Sequence, residues 1–154
     1  MGHEKGGYRN IFINDFAVNE DGSFPIQKVT KKGVEQQGNF KLGEVVPAAT
    51  FASSRNVAVT NKQTLVSIKD SAYICIKGVE FTGSESEFTA ECIPVEGKSL
   101  KVNIDAAGGN GTEIVNVEHT KTSRLSAKVA KTSGVHDLYI ILPEDCELVS
   151  WSIK

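Results

Sequence analysis

An all-β fold, an antiparallel β-sandwich of jelly-roll type, is what this sequence predicts, and three observations predict it. Val, Ile and Thr together outnumber Leu, Ala and Met, and branching at Cβ suits a pleated sheet better than a helix. Apolar residues recur at every second position, as in Leu100, Val102 and Ile104, which places them on one face of a strand. No stretch carries a convincing helical period; Arg124 to Lys131 comes nearest, and Leu125, Ala127 and Val129 fit strand alternation at least as well. With 154 residues, 40% hydrophobic and 23% charged, the chain is long enough for one sizeable core.

In chain order, Tyr8 to Val18 alternates, Asn19-Glu20-Asp21-Gly22 reads as a turn, and Ser23 to Val34 is polar and lysine-rich around Pro25. Together these form an N-terminal extended strap. Composition shifts after Glu35-Gln36-Gln37-Gly38-Asn39, which divides a linker-like segment, 1–38, from a sandwich, 39–154. Strands are expected at Ala72 to Lys77, Glu87 to Ile93, Leu100 to Asp105, Thr112 to Val117, Val135 to Leu142 and Glu147 to Ile153. Gly108-Gly109-Asn110-Gly111 reads as the turn of a hairpin, a cluster that supplies positive φ cheaply. Leu138 to Leu142 is nearly all apolar, as expected of a central strand covered on both faces.

Charge and apolar runs remove several partner classes. Lys plus Arg total 17 against 19 Asp plus Glu, a net charge of -2, so nothing electrostatic draws the chain to nucleic acid or an anionic membrane. No run approaches the roughly 20 apolar residues that span a bilayer. Met1-Gly2-His3-Glu4-Lys5 lacks the apolar stretch of a signal peptide, and Gly6 stands where a myristoylation motif needs a hydroxyl residue. The expectation is a cytosolic chain or one whose targeting segment is missing. Cys75, Cys92 and Cys146 are odd in number and form no Cys-x-x-Cys pair. Their apolar settings read as buried structural thiols, with a Cys75–Cys92 bridge as the alternative.

Candidates for chemistry are few. Ser133, His136 and Asp137 lie close in sequence, but neighbours on a strand point to opposite faces and form no local triad; turn or backbone hydrogen bonds are the expected role of His136 and Asp137. His3, His119 and His136 lack metal-ligand spacing, so no zinc site is expected. Glu85 with Glu87, and Glu144 with Asp145, sit in polar turns as solvated charges. Asp105-Ala106-Ala107-Gly108-Gly109 has neither phosphate-loop nor dinucleotide spacing. On these residues no cofactor and no catalytic centre is expected.

Two stretches resemble known families. Gly134-Val135-His136-Asp137-Leu138-Tyr139-Ile140-Ile141-Leu142 closely resembles a hallmark strand near the end of family 6 carbohydrate-binding modules. Asp70 to Phe81 resembles the family's early strand and turn, and Ser86 to Cys92 followed by Leu100 to Ala106 fits its next two strands, all in family order across roughly residues 40 to 154. Upstream, His3 to Asn14 followed by Asn19 to Ser23 looks like the closing segment of family 43 glycoside hydrolase catalytic domains, which in many xylan- and arabinan-degrading enzymes leads into such a module. The implied function is a non-catalytic accessory module of a hemicellulase. Its implied partners are plant cell-wall polysaccharide or oligosaccharide and a family 43 catalytic domain. The catalytic carboxylates of that domain would lie outside this chain, and export, to the periplasm or the cell exterior, would follow the parent enzyme.

In this family, loop aromatics stack on a sugar ring while an amide or carboxylate bonds its hydroxyls. By the resemblance, the two aromatic positions fall at Ser67 and His119, which are therefore the cleft-equivalent, carbohydrate-binding candidates. The closing strand, Leu148 to Ile153, lacks the family's Asn and Asp. Val46-Pro47-Ala48-Ala49-Thr50-Phe51 replaces the segment that carries the family's calcium glutamates; Pro47 and Ala49 offer no side-chain oxygen, so no metal is expected there. Trp151, Tyr73 and Tyr139 read as packing residues. Two roles follow: weak or altered sugar binding through a sheet face, or a degenerate sandwich that packs on a glycoside hydrolase domain and binds no sugar.

Overall fold

The computed structural model describes residues 18–24, 26, 38–60, 62–93 and 95–154, and the chain divides into two compact units, 1–37 and 38–154. In the first unit the expected turn is present: Gly22 donates its N–H to the Asn19 carbonyl at 2.9 Å, and Ser23 N–H bonds the Asp21 carboxylate. The alternation expected at Tyr8 to Val18 and most of the strap lie outside the described residues.

Twelve strands and no helix make up the described part of the second unit. They are β1 (Phe40–Lys41), β2 (Val46–Pro47), β3 (Ser53–Arg55), β4 (Val57–Val59), β5 (Leu65–Ser67), β6 (Ala72–Thr82), β7 (Glu87–Ile93), β8 (Ser99–Ile104), β9 (Thr112–Glu118), β10 (Arg124–Lys128), β11 (Ser133–Leu142) and β12 (Glu147–Ile153). One sheet runs β1-β6-β11-β8-β9 with β3 beside β6, the other β10-β7-β12-β5-β4 with β2 beside β12. From β6 onward the chain crosses repeatedly between the sheets, and every pairing but β1 with β6 is antiparallel. This is a two-layer sandwich, all-β as expected.

Alternation predicts the later strands because each has one face in the core. On β7, Phe88, Ala90 and Cys92 are buried while Glu87, Glu91 and Ile93 are exposed. Trp151 of β12 stacks on Phe40 of β1 with ring centroids 6.2 Å apart, so one aromatic pair joins the two sheets. Burying each such large apolar side chain contributes about 1.5–3 kcal/mol.

Bulges settle which residues face inward. Between Leu148 and Ser150 the β12–β7 register slips by the extra residue Val149. Strict alternation would send Leu148 and Trp151 to opposite faces; the bulge turns both inward, at 0% and 1% exposure, and leaves Ser150 beside Glu91 on the outer face. In the other sheet, Lys77 and Gly78 together oppose Asp137, Gly78 has φ +60°, and its N–H bonds the Asp137 carboxylate at 3.0 Å.

Two expectations are corrected. The β8–β9 hairpin forms, but Gly108, Gly109 and Gly111 are not its positive-φ residues; Asp105 is, at +68°. Gly111 is needed for space, since a Cβ there would lie 1.9 Å from the Ala106 carbonyl oxygen. β11 is central, yet covered on one face only: Leu138, Ile140 and Leu142 are buried, while Tyr139 and Ile141 are half-buried. An antiparallel sandwich has no third layer to cover its outer face.

Candidate functional site

Ser67 and His119 both lie inside the protein, at 0% and 2% exposure. Ser67 ends β5. Its hydroxyl donates to the Pro143 carbonyl in a short bond and accepts the Cys146 N–H at 2.9 Å, while its own N–H bonds the Cys146 carbonyl. His119 follows β9; its N–H bonds the Lys98 carbonyl, and its Nδ1 accepts the Val95 N–H at 3.0 Å. Burial holds the imidazole below its ordinary pKa and therefore neutral. In this conformation neither residue presents a polar atom to a sugar. Both side chains instead brace strand ends from within the core.

Both supports meet at Cys146. Its sulfur, that of Cys92 and a ring nitrogen of His119 all lie within 4.8 Å of one another. The three cysteines are free and buried, so the alternative Cys75–Cys92 bridge does not form. Cys75 belongs to the other sheet, where it lies opposite both Ser53 and Tyr139. Hydrogen bonding with Cys75, together with burial, pushes the Tyr139 phenol up to about 12. Tyr73 meets Tyr139 edge-on at 5.6 Å, and both rings are half-buried.

The residues resembling a hydrolytic triad are engaged separately. His136 Nδ1 faces the Asp105 carboxylate at 3.0 Å and its Nε2 the Ser133 carbonyl at 3.1 Å, while Asp137 holds Gly78 and Lys77. The Ser133 carbonyl and then Asp105 favour the imidazolium and raise the His136 pKa above its ordinary 6.5. The resulting stabilisation is complete below pH 6.5 and is lost as pH rises through the folded-state value. Asp105→Asn is expected to lower the His136 pKa in an NMR titration and to flatten the fall in urea stability across that window. The effect is at most about 1 kcal/mol because water screens the pair.

A groove of about 320 Å³ lies on the outer face of the second sheet. Thr89 and Glu91 of β7, Arg124 of β10, Ser150 and Trp151 of β12, Ser123 and Val45 are among the residues that line it. Arg124 stands opposite Glu91 in register, so a guanidinium and a carboxylate sit among three hydroxyls. Such a set can both donate to and accept from the hydroxyls of a saccharide. Thr89 is already bonded to Ser152 at 2.8 Å, and the indole of Trp151 is too buried to stack on a ring. Sequence reading misses these residues because they occupy the polar positions of alternating strands, where any solvated face looks the same.

No protein-family model matches the chain, and no curated protein sequence does. Solved structures do. A family 43 arabinoxylan arabinofuranohydrolase from Bacillus subtilis, in complex with cellotetraose, is 20% identical with a TM-score of 0.80; the match covers 92% of this chain and 33% of that one, so the chain spans about a third of the enzyme's length. A family 6 carbohydrate-binding module from Clostridium cellulolyticum in complex with xylose is 15% identical with a TM-score of 0.64, over 75% of this chain and 99% of the module. A β-1,3-glucan-binding family 6 module from Bacillus halodurans is 13% identical with a TM-score of 0.63, over 75% of this chain and 98% of that one. With its two mostly antiparallel sheets and the strand order given above, this chain has the fold of family 6 carbohydrate-binding modules.

Proposed function

We propose that residues 38–154 are a non-catalytic accessory module of a xylan- or arabinan-degrading enzyme, binding polysaccharide weakly through the groove on the second sheet. The observation that carries this reading is the contrast between two surfaces. Ser67 and His119, the positions to which the resemblance points, are buried, whereas the groove keeps Glu91, Arg124, Ser123 and Ser150 within reach of a ligand. Without an exposed stacking ring, affinity is expected near a Kd of about 1 mM, some 4 kcal/mol. By the resemblance of His3 to Asn14 and of Asn19 to Ser23, the first unit, 1–37, is read as the end of a family 43 catalytic domain. The likeness to the arabinofuranohydrolase covers 92% of the chain, against 75% for the free-standing modules, and so reaches ahead of Gly38. The module then goes wherever that enzyme goes, to the periplasm or the cell exterior.

Calorimetric titration with xylo- and arabino-oligosaccharides tests the reading, with Glu91→Ala and Arg124→Ala as variants. Each is expected to weaken binding about 3- to 10-fold, the loss of one or two hydrogen bonds, with little change in stability because both side chains are exposed. Binding unchanged in both variants would remove the groove from the account. No heat at all at about 10 mM sugar would favour the second reading, a sandwich that only packs on the catalytic domain, for which the longer reach of the likeness to the enzyme also speaks. Aryl glycosides should be left intact by this chain in either case.

A further inference from the structure

Cys92, His119 and Cys146 are brought together from the end of β7, the exit of β9 and the turn before β12. Nothing in their spacing foretells it; the crossing of the chain between sheets does it. All three are at most 2% exposed, and their ligand atoms lie within 4.8 Å of one another. The Nδ1 of His119 is taken by Val95 N–H, but its Nε2 is buried with no hydrogen-bond partner. A polar atom stripped of water and left alone destabilises a fold, and a ligand bound at Nε2 would remove that cost.

We propose that this cluster is a binding site for one soft d10 metal ion, Zn²⁺ or Cu⁺, held by the sulfurs of Cys92 and Cys146 and by His119 Nε2. Two thiols and an imidazole suit such ions and not calcium or magnesium, which prefer oxygen. Uptake releases both thiol protons, and two thiolates then balance the charge of Zn²⁺, so no net charge is buried with it. Cu⁺ would leave one negative charge but is content with three ligands, whereas Zn²⁺ would recruit a fourth, such as water. In the metal-free chain the Val95 bond keeps the ring proton on Nε2. Binding moves that proton to Nδ1 and breaks the Val95 bond, a small loss beside two metal–thiolate bonds. The ion would fasten three strand ends at the place where the family-like cleft is closed.

The reduced, metal-stripped full chain is titrated with Zn²⁺, with Co²⁺ as a visible reporter, and with Cu⁺ under anaerobic conditions. One equivalent of Zn²⁺ or Cu⁺ is expected to raise the thermal midpoint, and Co²⁺ to show sulfur-to-metal charge transfer. X-ray absorption should find two sulfurs and at least one nitrogen around the ion. In the unmutated chain, the metal should slow alkylation of Cys92 and Cys146 but not of Cys75, whose partners are elsewhere. The Val95 amide should exchange faster. Cys75→Ser should bind as before, while Cys92→Ser and Cys146→Ser weaken binding at least about 100-fold, the upper range for losing even an outer-shell partner. Whichever ion gives these results is the one the site takes. An unmoved midpoint with both ions, equal protection of Cys75, a sulfur-free ligand shell, or full binding by the Cys92→Ser and Cys146→Ser variants would each overturn the proposal.

Discussion

Trp151→Ala should cost about 3–5 kcal/mol of stability, a large part of the 5–15 kcal/mol typical of a whole domain. The side chain is 1% exposed, stacks on Phe40 and, among the described residues, forms the one aromatic pair that joins the two sheets. Its removal leaves a cavity that two hydrogen-bonded sheets close only in part. Trp151→Phe should retain most of the stability, because it keeps a ring against Phe40 and also removes the indole N–H, which is buried without a partner. Urea unfolding followed by far-ultraviolet circular dichroism measures both. Equal losses in the two variants would mean that the indole is held by something other than packing.

Ser67→Ala is expected to destabilise the fold by about 1–3 kcal/mol, far more than loss of a surface hydroxyl. The Ser67 hydroxyl bonds the Pro143 carbonyl and the Cys146 N–H, and so pins the turn ahead of β12 to the end of β5. Without it the Pro143 carbonyl keeps, among the described residues, only the Cys146 N–H, at 3.3 Å. Thermal and urea unfolding of Ser67→Ala report the loss. Were Ser67 instead a ligand contact at an open cleft, the substitution would leave stability almost unchanged and act on sugar affinity.

From Ala72 onward the fold is legible because long strands with one wet face must alternate, as β7 does through Phe88, Ala90 and Cys92. The five strands before it span two or three residues each, too few for a period to register. Bulges escape the reading for a different reason. Val149 and Gly78 shift the register by one residue, and only the partner strand shows where. Leu148 and Trp151 share the core although strict alternation separates them.

The site is less legible than the fold. The resemblance points to Ser67 and His119 but carries no information on depth, and the structure ties both to backbone partners inside the protein. Cys92, His119 and Cys146 gather through topology rather than spacing. Glu91 and Arg124 are ordinary polar-face residues until the bulge at Val149 sets Ser150 beside them.

The most direct test of a closed loop end and a ligand-accepting sheet face is an amide chemical-shift map of the uniformly labelled chain during titration with a xylo-oligosaccharide. The account predicts shifts that grow with sugar and cluster at Thr89, Glu91, Ser123, Arg124 and Ser150, with Ser67 and His119 unmoved. Shifts centred on Ser67, His119 and the turn before Cys146 would contradict it.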